Sequence, residues 1–367
     1  VLEKAINEIA NNHSEILEIN IEDCGTAMRF LTSVLAITKG EFILTGSDRM
    51  KQRPIQFLVD SLNKVNANIS YLENPGFPPL RISGSELNGD SISIDGSVSS
   101  QYISSILMIS PLLKNGLKII LENHIVSEPY IDLTLKMMNH FGIQFQKTEN
   151  CIVVTPQKYI AKDISINGDW SSVSYWYEMA AFSEDVDLKI HGISKTGFQG
   201  DEVIATIFED FGVKTTFYEN YIHFTKTGNV VDNFEFDFSN HPDLALTVAV
   251  CCAGLKINCN LKGLKALKDK ESNRFAAIVS EIGKLGIPVK SDEIDEISFN
   301  AKEIIFEKNI LVNTFNDHRI AMAFAPLACI LKEIKIEESE IVKKSYSNFW
   351  EDLKNLGFKI GIIENKI

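Results

Sequence analysis

The feature that most limits the possible folds of this chain is an internal repeat of about 73 residues. Short polar or small-residue openings precede apolar helical patterns at intervals of 72 to 75 residues. A second series of openings precedes amphipathic patterns at similar intervals, and those patterns end at Asn or Gly, which accept the left-handed conformation that closes a helix. The first openings are Gly25, Ser99, Ser171, Asp243 and His318, the second are Pro54, Pro129, Asp201, Asn273 and Ser347, and the endings are Asn66, Gly142, Gly212, Gly286 and Gly357.

Each repeat predicts a strand, a helix, a second strand, a second helix and a strand pair, which is a βαβαββ unit in an α/β (α+β) fold. Five complete or nearly complete units follow one another. Before Gly25, a helical pattern from Leu2 to Ile9 and an alternating pattern from Ile16 to Ile21 resemble the back half of a further unit. An unrelated N-terminal helix is the alternative. The first unit of the chain is therefore expected to be incomplete.

Composition and charge indicate a globular protein that binds anions only locally. Hydrophobic residues make up 45% and charged residues 23% of the 367 residues, which excludes a disordered or fibrous chain. The net charge of −13 opposes binding to nucleic acid or anionic lipid through the field of the whole molecule. We therefore expect no nucleic-acid partner and no membrane partner.

The apolar segments and the cysteines favour a cytoplasmic protein. The most sustained apolar stretch, Leu244 to Leu255, is shorter than the ~20 residues that span a bilayer. No C-x-x-C motif or paired Cys/His spacing indicates zinc. The cysteines are predicted to be reduced packing residues: Cys24, Cys151, Cys251, Cys252, Cys259 and Cys329.

Basic residues gather at corresponding predicted helix starts. One such cluster is typical of a solvated helix end, but four clusters in phase favour a shared site for phosphate or carboxylate. The clustered cations are Arg49, Lys51, Arg53, Lys270, Arg274, Arg319, Lys343 and Lys344.

Two helix starts and two carboxylates are further candidates. The starts at Gly25 and Ser97–Gln101 offer free amides and hydroxyls to phosphate oxygens, although serine there is also an ordinary N-cap. Asp243 and Glu271 are either first-turn carboxylates placed against the helix dipole or, with Lys270, proton-handling groups. The pattern alone leaves both interpretations open.

Eight ordered motifs resemble the 5-enolpyruvylshikimate-3-phosphate (EPSP) synthase family over nearly the whole chain. They are GTAMRF at Gly25, RMKQRPI at Arg49, DGSVSSQY at Asp95, SEPYIDLTL at Ser127, NHPDLA at Asn240, DKESNR at Asp269, NDHRIAMAF at Asn316 and KKSYSNFW at Lys343. The resemblance implies a two-domain inside-out α/β barrel, with helices inside and sheets outside. Its N-terminal domain would be residues 1–165, on the shikimate 3-phosphate side. Residues 166–367 would form the C-terminal domain, with the catalytic carboxylates and phosphoenolpyruvate-binding cations.

The same resemblance implies transfer of the enolpyruvyl group of phosphoenolpyruvate (PEP) to the 5-hydroxyl of shikimate 3-phosphate, with release of phosphate. It implies no metal or organic cofactor, and we expect a monomer. Asp243 would accept the hydroxyl proton, while Lys270 and Glu271 would assist protonation of the methylene carbon. The set that binds shikimate 3-phosphate would be Ser99, Ser100, Gln101, Ser127, Tyr130, Asp243 and Lys270, and the PEP-binding set Gly25, Arg53, Gln101, Glu271, Arg274, Arg319 and Lys344. We expect the cations Arg53, Arg274, Arg319 and Lys344 to converge on one gap between two lobes.

Several positions depart from the family pattern. The family's Lys-Ser motif falls upstream of Val1, and the substituted positions are Asp23, Cys24, Glu128, Ala266, Asn273 and Ser347. A catalytically impaired, truncated paralogue or fragment that only binds substrate is therefore the first alternative. A UDP-N-acetylglucosamine enolpyruvyl transferase is the second, although its usual cysteine is absent from RMKQRPI.

Overall fold

A computed structural model describes residues 1–11 and 15–363 of the chain. The chain divides into two compact units, Val1–Ser165 and Ile166–Ile367. Each unit combines buried helices with small sheets.

The first unit contains five α-helices and eight strands in its described residues. The helices are α1 (Leu2–Ala10), α2 (Gly25–Ile37), α3 (Gln56–Lys64), α4 (Ser100–Ile109) and α5 (Glu128–His140). The strands are β1 (Ile16–Asn20), β2 (Gly40–Thr45), β3 (Asn68–Tyr71), β4 (Leu80–Gly84), β5 (Asp90–Asp95), β6 (Leu117–Glu122), β7 (Gln146–Thr148) and β8 (Cys151–Val154). Short 3-10 helices cover Met50–Gln52 and Ser110–Leu112.

The described part of the second unit contains seven α-helices and nine strands. The helices are α6 (Trp170–Phe182), α7 (Ile204–Ile207), α8 (Ala245–Gly254), α9 (Arg274–Gly283), α10 (His318–Phe324), α11 (Ala328–Leu331) and α12 (Phe349–Asn355). The strands are β9 (Asp187–His191), β10 (Phe211–Phe217), β11 (Tyr221–Val230), β12 (Asn233–Asp237), β13 (Asn258–Lys262), β14 (Lys290–Ser291), β15 (Ile297–Phe299), β16 (Leu311–Val312) and β17 (Lys335–Ile336). Its 3-10 helices are Gly200–Val203, Pro242–Leu244, Lys265–Asp269, Ala325–Leu327 and Ser339–Lys344.

Three four-stranded sheets share one topology and confirm the repeat. Their strand orders are β1-β2-β4-β3, β5-β6-β8-β7 and β12-β13-β15-β14. In each sheet the first two strands are parallel, and the other two neighbouring pairs are antiparallel. Because parallel strands need a crossover, α2, α4 and α8 with its preceding 3-10 helix connect the first two strands of their sheets.

Two repeats are less regular than the sequence predicts. The sheet β10-β11-β9 lacks a strand before α6 in the described residues, and β16 and β17 form only a two-stranded ladder. The strand pair predicted after Gly357 is also absent as far as residue 363. The strand β1 pairs in parallel with β2, so it is the first strand of the first complete repeat, not the end of a preceding one.

Helices form the interior of each unit and sheets cover them. In the first unit α2 packs on α4, and in the second unit α6, α8 and α10 pack on one another. Every residue of α8 is buried because its sequence, ALTVAVCCAG, is apolar on nearly all sides. The strand β6 instead alternates between buried and more exposed residues, as expected for a sheet with one solvated face.

Hydroxyl pairs join helices that lie one repeat apart in sequence. The Oγ atoms of Ser33 in α2 and Ser105 in α4 lie 2.5 Å apart. In the second unit, Ser174 Oγ in α6 lies 3.1 Å from Thr247 Oγ1 in α8. Each buried hydroxyl therefore has a partner on the neighbouring helix, which offsets the free-energy cost of burying it.

Among the residues that the structure describes, no helix is both long enough and apolar enough to cross a lipid bilayer.

Candidate functional site

A carboxylate surrounded by three cations is the main polar feature of the second unit. Asp243 Oδ1 lies 2.9 Å from Arg274 Nη1 and 3.2 Å from Lys270 Nζ, and Asp243 Oδ2 lies 3.3 Å from Arg319 Nη2. Arg274 is almost completely buried, whereas Lys270 remains partly exposed. The cluster carries more positive than negative charge, so it can accept additional anions.

Helix starts bring these residues together. Asp243 lies in the 3-10 helix Pro242–Leu244 that leads into α8, and Arg274 is the first residue of α9. Arg319 lies in the first turn of α10. Asn273 caps α9 by accepting a hydrogen bond from the backbone N–H of Ala276.

The buried Asp317 fixes the orientation of Arg274. Its carboxylate accepts hydrogen bonds from Arg274 Nε at 2.7 Å and Nη2 at 3.1 Å, and from Ser272 Oγ at 3.0 Å. It also caps α10 by accepting from the backbone N–H of Arg319 at 3.0 Å. A two-point contact of this kind holds a guanidinium plane in one orientation, so Nη1 is directed at Asp243.

The pKa of Asp243 reflects two opposing effects. Desolvation by burial raises it, but the positive charges of Arg319, Lys270 and Arg274 outweigh burial and bring the pKa well below its ordinary value. Asp243 is therefore ionised at neutral pH, and it would become a stronger base if additional anions offset the charges of those cations.

Glu271 forms a second ionic group beside the first. Its Oε2 atom lies 2.8 Å from His318 Nδ1 and 3.3 Å from Lys344 Nζ. Burial raises the pKa of Glu271, but the hydrogen bond and charge of His318, together with the charges of Arg274 and Lys344, lower it to about 2. Lys344 lies at the end of the 3-10 helix Ser339–Lys344, which packs against α10.

One atom from each of Glu271, Asp317 and His318 lies within 4.8 Å of the others, a spacing that could hold a metal ion. The two carboxylates, however, are already paired: Asp317 with Arg274, and Glu271 with His318 and Lys344. A divalent cation would have to compete with these fixed positive charges. The group therefore fits an ion-pair network better than a metal centre.

In the first unit, Gly25 and Arg53 are in close contact. A Cβ atom on Gly25 would overlap Arg53 Nη1 and would lie 2.9 Å from Arg29 Nη1. Glycine at the first position of α2 thus allows a guanidinium to lie directly beside the helix N-terminus. Both the positive end of the helix dipole and the Arg53 charge favour an anion here.

Other predicted first-unit residues also lie at helix starts. Ser99 is the N-cap of α4, followed by Ser100 and Gln101, and Gln101 Nε2 donates to Thr26 Oγ1 of α2 at 3.3 Å. Ser127 is the buried N-cap of α5. Its φ of 56° places it in the left-handed region, which is uncommon for serine. Tyr130 follows in the first turn of α5.

Helix capping differs between the two units. Over the described residues, α2, α4 and α5 begin without a side-chain hydrogen bond to their first amides. Asp169, Asn273 and Asp317 instead cap α6, α9 and α10 through their side chains. The first-unit starts therefore keep backbone N–H groups that a phosphate could engage.

The second-unit candidates lie in one neighbourhood: Asp243, Lys270, Glu271, Arg274, Arg319 and Lys344. The first-unit candidates are distributed over the starts of α2, α4 and α5 and the segment before α3. Sequence reasoning missed Asp317, His318, Ser272 and Tyr175. The first two directly precede Arg319 in the motif NDHRIAMAF, and that adjacency was the available signal. Burial raises the pKa of Tyr175 to about 12, although the nearby Arg319 opposes this shift.

Comparisons with known proteins identify a matching family model, similar curated proteins and a similar fold. A family model described as EPSP synthase (3-phosphoshikimate 1-carboxyvinyltransferase) matches residues 3–353. The 3-phosphoshikimate 1-carboxyvinyltransferase of Bacteroides fragilis is 44% identical over 347 residues, covering 94% of this chain and 85% of the relative. That of Haemophilus influenzae is 34% identical over 359 residues, covering 95% of this chain and 81% of the relative.

A solved structure of EPSP synthase from Acinetobacter baumannii has the same fold. Its TM-score is 0.75 at 21% identity, and the match covers 95% of this chain and 80% of that one. The class defined by these findings is a transferase with an inside-out, repeated α/β architecture. The chain belongs to the EPSP synthase family.

Proposed function

We propose that this protein transfers the enolpyruvyl group of PEP to the 5-hydroxyl of shikimate 3-phosphate and releases inorganic phosphate, a step in chorismate and aromatic amino acid biosynthesis. Apart from family membership, the supporting observation is the ionised Asp243 held by Lys270, Arg274 and Arg319. Both substrates carry a phosphate and a carboxylate, so a protein that binds them together needs several fixed cations and a base.

The cations would neutralise the substrates. In the second unit we propose Arg274, Arg319 and Lys344 as PEP-binding residues, with Glu271 beside them. In the first unit we propose Gly25, Arg53 and Gln101 for the same substrate. The rigid hold of Asp317 on Arg274 supports this role because a guanidinium already oriented loses less entropy on binding a carboxylate or phosphate.

Asp243 would act as the base in the addition step. Binding of anionic substrates gives Arg274 and Arg319 additional negative partners, which weakens their interaction with Asp243 and raises its pKa. Asp243 then accepts the 5-hydroxyl proton as the oxygen forms its bond to the central carbon of PEP, giving a tetrahedral ketal. Lys270, 3.2 Å from Asp243, stabilises the carboxylate until that point.

A proton must also reach the methylene carbon of PEP, and later leave it when the bond to phosphate breaks. We assign assistance in this transfer to Lys270 and Glu271. The pKa of Glu271, lowered to about 2, makes this carboxylate an acceptor at neutral pH, whereas Lys270 is a donor.

The first unit, residues 1–165, would supply most of the contacts to shikimate 3-phosphate and the second, residues 166–367, the carboxylates. The residues proposed to bind shikimate 3-phosphate are Ser99, Ser100, Gln101, Ser127 and Tyr130 of the first unit, with Asp243 and Lys270 from the second. Uncapped helix starts support this assignment, because their free N–H groups suit phosphate oxygens.

Phosphate release tests the function directly. The protein should release phosphate only when PEP and shikimate 3-phosphate are both present, and calorimetry should detect binding of shikimate 3-phosphate. Such binding without any turnover would instead establish the binding-only alternative. Turnover with UDP-N-acetylglucosamine in place of shikimate 3-phosphate would establish the other alternative. The relatives named above favour neither.

We further propose that the protein is a cytoplasmic monomer. All six cysteines are free, as expected in a reducing compartment. Light scattering coupled to gel filtration tests the monomer, and fractionation of the source cells tests the location. A dimeric mass would contradict the proposed monomer. Recovery of the protein outside the cytoplasmic fraction would contradict the proposed location.

A further inference from the structure

The short segment that carries Arg53 is anchored at three consecutive backbone positions. The Arg53 N–H donates to Met50 O at 3.0 Å, the Pro54 carbonyl accepts from the Tyr102 hydroxyl at 2.7 Å, and the Ile55 N–H donates to Gly76 O at 2.9 Å. Proline also restricts the residue before it to extended backbone, and Arg53 has φ −90° and ψ 125°. The backbone from which the Arg53 side chain extends is therefore fixed.

Tyr102 supplies the anchor that links this segment to another helix. Tyr102 is 4% exposed and lies in the first turn of α4, directly after Gln101. The Pro54 carbonyl has a second donor, Arg29 Nη2, but that contact is longer at 3.4 Å. The shorter bond from Tyr102 joins residues 48 positions apart in the sequence.

Arg29 extends the network to Gly25. Its Nη1 atom donates to the Gly25 carbonyl at 3.1 Å, and its Nη2 atom donates to the same Pro54 carbonyl that accepts from Tyr102. Gly25 and Arg53 lie against each other at the start of α2. Arg29 is hydrogen-bonded to the Gly25 carbonyl, and Tyr102 is hydrogen-bonded to the carbonyl of Pro54, the residue after Arg53. A shift of the Pro54 carbonyl would move the Arg53 guanidinium relative to this helix N-terminus.

We propose that Tyr102 is a positioning residue for PEP, whose hydroxyl holds the Pro54 carbonyl so that the Arg53 guanidinium stays beside the N-terminus of α2. The inference rests on the proposed function, in which Arg53 and Gly25 bind PEP. Tyr102 itself need not touch either substrate.

The test is the variant Tyr102→Phe, which removes one hydroxyl and keeps the ring. The KM for PEP should rise about five- to tenfold, because the carbonyl is left with one long hydrogen bond, while kcat and the KM for shikimate 3-phosphate change less than twofold. Tyr159→Phe is the matched control, because it removes a hydroxyl that donates at 2.7 Å to the Met108 carbonyl in the same unit. This control should leave all three constants unchanged.

A double-mutant cycle with Arg53→Lys shows whether Tyr102 acts through Arg53. In the Arg53→Lys background, Tyr102→Phe should raise the KM for PEP by less than twofold. Fully additive effects of the two substitutions on the KM for PEP would overturn the inference. It would also be overturned if Tyr102→Phe alone had wild-type kinetic constants, or if this variant raised the KM for both substrates equally and had a lowered melting temperature. An absence of turnover in the wild-type protein would instead refute the proposed function, and the inference with it.

Discussion

Among single residues, Asp243 is expected to contribute most to turnover. Asp243→Ala should lower phosphate release from PEP and shikimate 3-phosphate by about 100-fold or more, because the base is lost and three cations lose their common counter-charge. A steady-state phosphate-release assay measures this. Asp187→Ala is the control, since Asp187 is an exposed residue of the same unit that pairs with His223 at 2.6 Å. Near-normal turnover of Asp243→Ala would refute the role of Asp243 as base.

Gly25 gives a second prediction at this scale. Gly25→Ala should raise the KM for PEP by about tenfold or more, because the new methyl group overlaps Arg53 Nη1 and forces the guanidinium aside. Initial rates at varied PEP measure the change. Gly283→Ala provides the control, since a Cβ there meets no atom within 4 Å in the described structure. An unchanged KM for PEP would contradict this prediction, because it would mean that the Arg53 guanidinium can move aside without weakening PEP binding.

The site could be predicted only in part from the sequence. Asp243, Lys270, Arg274 and Arg319 were found because they recur at equivalent helix starts, and their proximity follows from the repeat. Asp317 was missed because a buried partner of an arginine has no local signature. The link from Tyr102 to Pro54 was also unpredictable, since it depends on how α4 packs against a distant segment.

At the scale of elements, α6 contains an unusual buried acid. Glu178 is fully buried, and within the described structure its two carboxyl oxygens have no hydrogen-bond partner. Burial raises the pKa of Glu178 well above its ordinary value, with Cys251 and Cys252 of α8 among its electrostatic neighbours. Glu178 therefore reduces the stability of the helical core.

The pH dependence of stability follows from this pKa. The folded state holds the Glu178 proton more tightly than the unfolded chain, whose glutamate has a pKa near 4.5. The contribution of Glu178 is therefore most favourable below that pH and is lost as the pH rises, by up to about 1.4 kcal/mol per pH unit. Glu178→Gln should remove this loss, and Glu178→Met should raise the free energy of unfolding at pH 7 by about 1–3 kcal/mol.

Urea unfolding of the wild type and the Glu178 variants between pH 5 and pH 8 measures the difference. Glu184→Gln is the control, because this glutamate is exposed just beyond the end of α6. The difference between wild type and Glu178→Gln should widen with rising pH. A constant difference over this range would show that Glu178 does not carry the proton.

The repeat predicted the sheets better than it predicted their boundaries. The regular spacing of the helix openings was sufficient to predict three sheets of one topology, because each βαβαββ unit must bury the same faces of its helices and strands. Spacing could not predict the missing strand before α6 or the short β16–β17 ladder in the described chain, because edge pairing depends on neighbouring segments. The assignment of β1 to the first complete repeat likewise became clear only from its pairing with β2.

At the scale of the whole molecule, the described chain passes from the first unit to the second through a mostly exposed segment. Residues 155–169 contain no helix or strand, and both Lys158 and Lys162 are exposed. Brief digestion with trypsin should therefore cleave first after one of these lysines and leave two large fragments near the Ser165 boundary. Mass spectrometry of the fragments identifies the cut.

A matched variant sharpens the digestion experiment. Replacing Lys158 and Lys162 together with Gln should slow the first cleavage without changing the melting temperature, since both side chains are exposed. Early cleavage after Arg29 in α2 or Arg274 in α9 would contradict the division, because both side chains are buried inside the units.

Asp243, at the centre of the three cations of the second unit, also determines which anions should inhibit the protein. Any anion that enters must compete with Asp243, which already interacts with Arg274 and Arg319. A singly charged metabolite such as acetate merely exchanges one carboxylate for another and gains little, whereas a molecule with two or more negative groups gains a surplus of attraction. Compounds built to block this protein should accordingly be polyanions, and ordinary cellular monocarboxylates should be poor competitors.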